Sequence, residues 1–178
     1  REAVMNKRII FVVLIVLASI IGINAIPAEK FSETSIQKIR ITPEDLPEGF
    51  VYGQIPEFAK KTLLANPWEM DRNAINKLTK NLYPEGDSSA VKNMHVSIMT
   101  KKERPFGYDL VCYIIIYKDM SAAKKEMEKL STYNKFNSDR TILLAHGNMA
   151  VFLIAQDINN YKYIDEIKGK IEERINSL

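Results

Sequence analysis

Residues 109–118 read Asp-Leu-Val-Cys-Tyr-Ile-Ile-Ile-Tyr-Lys, and the fold is read outward from them. Leu110, Cys112, Ile114 and Ile116 form one alternating set; Val111, Tyr113, Ile115 and Tyr117 form the other. Both sets are apolar, so the segment reads as an interior strand that needs cover above and below. Its β-branched and aromatic residues favour a strand over a helix.

Three further strands follow from the same alternation. Residues 91–101 place Met94, Val96 and Ile98 on a dry face and His95, Ser97 and Met99 on a wetter one. Arg104-Pro105-Phe106-Gly107 turns that strand into 109–118. Residues 141–146 and 149–156 flank Gly147-Asn148, a two-residue hairpin signal. Ile36–Ile41 alternates imperfectly and is expected as a short edge strand, making a fifth.

Helices come from capping and 3.6-residue spacing. Asn66-Pro67-Trp68-Glu69 has the form of a capping box and predicts a helix to Tyr83. Thr42-Pro43-Glu44-Asp45 predicts one capped turn, and Ile55-Pro56 opens a short helix through Leu64. Asp119-Met120-Ser121 caps a helix from Ala122 to about Tyr133, burying Ala123, Met127 and Leu130. Ile164, Ile167, Ile171 and Ile175 recur at helical spacing in the last segment. Residues 113–121 and 151–159 also echo each other, both running strand, Asp, cap and helix.

The expectation is an α+β domain over residues 36–178. It has a mostly antiparallel four- to five-stranded sheet, helices packed mainly on one face, and tandem ββα-like units after an N-terminal helix. The route from 109–118 to 141–146 passes through a helix, which implies a right-handed crossover if those strands are parallel.

Ahead of this domain, Lys7 and Arg8 precede an apolar run from Ile9 to Ile23 and then Asn24-Ala25. That layout predicts a signal peptide or N-terminal membrane anchor over residues 1–25. Residues 26–35 read as a tether. The expected location is extracytoplasmic: secreted, periplasmic or cell-surface, held to the membrane through residues 9–23 if the leader is uncleaved.

Composition narrows the function. The formal charge is +3, and residues 1–25 supply Arg1, Lys7 and Arg8 against Glu2. Removing them leaves 22 basic and 21 acidic residues, a surplus of one, so no nucleic-acid partner is expected. The single Cys112 allows neither an intrachain disulfide nor a cysteine-based zinc site. His95 and His146, the two histidines, lack metal-ligand spacing, and neither a nucleophile motif nor a glycine-rich phosphate loop is present. No cofactor is expected.

The remaining signal is aromatic. The turn at 102–108 and the loop at 135–140 are the most open interior stretches, and loops carry recognition. They nominate Phe106, Tyr108, Phe136 and Arg140, with His146 beside the hairpin turn, as a ligand or partner surface. The first expectation is a non-catalytic exported or membrane-tethered domain that binds a protein or small ligand. The alternatives are a structural subunit of an envelope complex and an extracytoplasmic enzyme. The enzyme's residues would have to converge in space, with His146, Asp109 and Tyr108 as its candidates.

Overall fold

The computed structural model describes residues 30–55 and 66–178. The leader, the first four residues of the tether and nearly all of the short helix expected through Leu64 lie outside the described residues. In chain order the elements are α1 (Glu33–Ile39), β1 (Phe50–Tyr52), β2 (Trp68–Glu69), α2 (Arg72–Leu82), β3 (Val91–Lys101), β4 (Leu110–Tyr117), α3 (Met120–Phe136), β5 (Thr141–His146), β6 (Met149–Ala155) and α4 (Tyr161–Asn176). Short 3-10 turns at Pro43–Asp45, Ser88–Ala90 and Ile158–Asn160 join some of them. Among the described residues no helix is long and apolar enough to cross a membrane.

This is an α+β domain built on one antiparallel sheet in the order β1-β3-β4-β6-β5, with β2 also on the outer edge of β3. β4 occupies the centre, as its two apolar faces require. Leu110, Cys112, Ile114 and Ile116 enter one core with Ile36 and Ile39 of α1 and all four α4 isoleucines. Val111, Ile115 and Tyr117 enter the other with Ile75 and Leu82 of α2 and Ala123 and Leu130 of α3.

Among the described residues, helices therefore cover both faces of the sheet, two on each, where the sequence predicts most of them on one. The reason lies in β4 and β6, whose residues are apolar on both sides. Each uncovered face would leave several large side chains in water, at about 1.5–3 kcal/mol apiece.

The element order runs strand-strand-helix twice, yet a tandem ββα repeat is not established. The sequence echo lays Ile114, in the α1/α4 core, on Phe152, in the α2/α3 core. Equivalent residues thus point to opposite sides, and α3 and α4 leave on opposite faces.

β4 and β5 are each antiparallel to β6 and so run parallel to one another, joined by α3. Two expected elements differ. Residues 36–39 belong to α1, because burying Ile36 and Ile39 at helical spacing outweighs their β-branched preference. α2 starts at an Asp71 cap, whose carboxylate accepts from the Ala74 amide at 2.7 Å. Asn66 is occupied elsewhere. Its side-chain oxygen accepts from Ile98 N at 3.0 Å, and its amide donates to Ile98 O and Gly53 O. It stands in for a missing strand residue between β1 and β2, so the outer edge of β3 is satisfied.

The chain reaches the domain at the β5–β6 turn. Phe31 N–H donates to Asn148 Oδ1 at 2.6 Å, and Asn148 Nδ2 donates to Phe31 O and Tyr117 O. Phe31 is buried, so the last residues of the expected tether pack on the domain.

Candidate functional site

The β3–β4 turn is held open by one carboxylate. Asp109 is buried, and its Oδ2 accepts from Lys101 N at 3.0 Å and lies 2.8 Å from the Thr100 hydroxyl. Its other oxygen pairs with the Arg104 guanidinium. Burial pushes this carboxyl up, but the Lys101 amide, the Thr100 hydroxyl and the Arg104 charge together bring it below its ordinary value. Pro105 O accepts from Gln54 N at 2.6 Å, and Arg104 O from Gly107 N at 2.8 Å. A Cβ at Gly107 would collide with Thr100 Oγ1, so the close approach requires glycine. This rigid frame turns Phe106 and Tyr108 outward, with 61% and 62% of their surface exposed.

The α3–β5 loop reaches the same end of the sheet, because β4 and β5 run parallel and each loop precedes its strand. Phe136, 85% exposed, ends α3, and the loop after it carries Arg140, which pairs with Asp139 at the surface. Thr141 is anchored to Asn134 Oδ1 and Asn137 O. Gln156 N donates to Asp109 O, joining the end of β6 to the β3–β4 turn. Immediately after comes Ile158, also exposed, in the turn capped by Asp157. Six large apolar side chains are exposed among the described residues, and Phe106, Tyr108, Phe136 and Ile158 are four of them. All four lie at one end of the sheet. Scattered exposed apolar residues need no explanation, whereas several at one end of a sheet are a candidate for a contact surface.

Beside this rim a cleft of about 340 Å³ opens between α2, the end of α3 and the sheet. Leu78, Tyr113, Tyr133, Arg140, Ile154 and Gln156 contribute to its wall. Burial pushes the Tyr113 hydroxyl up to about 12, so it stays protonated near neutral pH. The basic groups around the rim, Lys101, Lys102, Arg104, Lys135 and Arg140, are interleaved with Glu103, Asp109, Asp139 and Asp157. Such a mixture gives no single-sign field.

Four of the five nominated residues therefore share one end of the molecule. His146 does not. It closes β5 at the hairpin turn, a full strand away, near Phe31 and Asn148. The trio of His146, Asp109 and Tyr108 is not brought together, and Asp109 is committed to its turn. No group of three or more His, Cys, Asp or Glu side chains is placed to hold a metal among the described residues. Ile158 was missed because it reads as the approach to α4.

Two buried polar groups lie away from the rim. His95, expected on a wetter face, is 1% exposed on the α1 side of the sheet, and among the described residues neither ring nitrogen has a hydrogen-bond partner. Burial, with the Arg40 charge behind it, lowers its pKa to about 4, keeping the ring neutral. On the other face Glu126 of α3 accepts from the Tyr83 hydroxyl at 2.7 Å and Asp87 N at 2.9 Å, and pairs with Lys129 at 2.7 Å. Its signal was its position, one turn from both Ala123 and Leu130. Both groups are enclosed by packing.

In comparisons with known proteins, no family model matches the chain, and no curated protein or solved structure matches it either.

Proposed function

We propose that this chain is an exported or membrane-tethered, non-catalytic domain that binds a protein outside the cytoplasm through the rim of Phe106, Tyr108, Phe136 and Ile158. The observation that carries the binding role is the gathering of those four exposed side chains at one braced end of the sheet. Aromatic anchors on a rigid frame lose little conformational freedom when they dock, which is the economy of a recognition surface. The leader-like sequence at 1–25 carries the location. Residue 31 meets the domain at the end opposite the rim, so a preceding anchor would hold the rim away from the bilayer.

Two measurements test the two halves. A phosphatase that is active only outside the cytoplasm, fused after Leu178, is expected to be active; an inactive but intact fusion removes the location. A photo-crosslinker placed at Phe106 or Phe136 in the native cell should give discrete adducts that an exposed control position, Glu173, does not. The same adducts from Glu173 would remove the binding role.

A further inference from the structure

The two edges of the sheet are treated differently. The outer edge of β3 is paired by β1 and β2, with the Asn66 side chain bridging the gap. The outer edge of β5 has no strand beside it among the described residues. Natural sheets blunt such an edge with lysine, proline, a bulge or a cover. β5 reads Thr-Ile-Leu-Leu-Ala-His: no charge, no proline and no register shift against β6.

The backbone phase of this edge is fixed. Ala155 N donates to Arg140 O at 2.8 Å, so residues 140 and 155 form a hydrogen-bonded pair. Antiparallel alternation then turns the amide and carbonyl groups of Ile142 and Leu144 toward β6, and those of Leu143 and Ala145 outward. The outward groups recur every second residue, about 7 Å apart. That spacing is complementary to one thing, an extended backbone.

A groove of about 750 Å³ runs beside the same edge, between β5 and α3. Leu143 and Ala145 form its floor, Met120 and Met127 supply apolar wall, and Lys124 and Lys135 stand along it with one acid, Glu128, which leaves a surplus of one positive charge. Among the described residues, Leu143 and Ala145 therefore offer unpaired backbone at the edge and side chains to the groove at once. An added strand would lay alternate side chains into that groove.

We propose that the β5 edge and the α3 groove form a strand-addition site for an extended peptide with apolar side chains at alternate positions and an acidic residue alongside. The backbone pattern selects the extended form. The groove selects the alternate apolar residues, and Lys124 and Lys135 select the acid. Nothing in this rests on the aromatic rim, which lies at the end of the sheet and not along its edge.

The test uses the full chain and a synthetic peptide of alternating valine and threonine flanked by glutamates. Saturating peptide should slow amide hydrogen exchange at Leu143 and Ala145 roughly tenfold or more, leaving Glu173 unchanged. Ala145→Pro removes an outward-facing amide, which an edge strand tolerates, and should weaken binding by roughly tenfold or more. Ala145→Lys, a second edge variant that keeps the amide, should do the same by placing a charge in the groove. Lys124→Glu should weaken binding in low salt more than in high salt. The proposal is overturned if the peptide fails to bind, or binds without protecting those two amides. Binding that survives both Ala145 variants overturns it too. So does a peptide-independent dimer that Ala145→Lys dissolves, which would give the edge to a second copy of the chain.

Discussion

Arg174 grips Asp45 with both arms of its guanidinium, at 2.8 and 2.6 Å, across 129 residues of sequence. The same guanidinium donates to Arg40 O at 2.9 Å, and Asp45 also accepts from the amide and hydroxyl of Thr42. One ion pair therefore fastens the segment after α1 to the last helix. Burial pushes the Asp45 carboxyl up, but Arg174 and Thr42 outweigh it and leave the group below its ordinary value.

Removing Arg174 strands a buried carboxylate. Arg174→Ala should cost about 2–4 kcal/mol in urea unfolding at pH 7, and Arg174→Lys should restore only part of it, lacking the two-pronged geometry. Because the folded pKa of Asp45 is depressed, its contribution is present above the unfolded value of 3.8. It is lost as pH falls through the lower folded value. Acid unfolding of Arg174→Ala should accordingly begin at higher pH than in the parent. Equal midpoints for parent and variant would exclude this role.

His95 acts on a different stretch of the pH scale. Its pKa falls from 6.5 in the free side chain to about 4 in the fold. Above 6.5 both states are neutral and nothing is lost. Between 6.5 and 4 the unfolded chain takes the proton and the folded one does not, so stability should decline by up to about 3 kcal/mol. His95→Leu should flatten that decline without lowering stability at pH 7.5, as followed by denaturant midpoints across pH 4–7.5.

Glu126 is a connector between α3 and the loop after α2. Glu126→Ala would leave the Tyr83 hydroxyl and the Asp87 amide without their acceptor, at a cost of about 2–4 kcal/mol. Glu126→Gln keeps an acceptor and should cost less than half as much. If thermal melts rank the two variants equally, the hydrogen bonds are not what the carboxylate contributes.

The rim depends on a glycine. Gly107→Ala should destabilise the β3–β4 turn by about 1–3 kcal/mol through its clash with Thr100. In the double variant with Thr100→Ala, the two effects should sum to more than the measured loss, since the clash partner is gone. Strict additivity would mean the contact carries no strain.

The central sheet was legible in sequence because period-two patterning is local: β4 shows both faces within eight residues, and β5 and β6 announce their turn with Gly147-Asn148. Rim residues Phe106, Tyr108 and Phe136 were legible as loop aromatics. Their meeting was not, since it needs the parallel sense of β4 and β5. Asn66 misled because its hydrogen-bond partner, Ile98, is 32 residues away, and a capping side chain looks the same when it is used to mend a sheet edge. Ile36 and Ile39 fit a helical period while Ile39 and Ile41 fit a strand's, and only the core beneath them decides. His95 looked wet for the same reason: what covers its face of the sheet comes from the other end of the chain.

The chain's sole cysteine, Cys112, sits at the middle of β4, 1% exposed, with burial pushing its thiol well above the ordinary value. No reagent can reach that sulfur while the strands stay zipped together. The protein thus carries its own clock: the rate at which a thiol-trapping dye labels it counts the moments when the centre of the sheet comes apart.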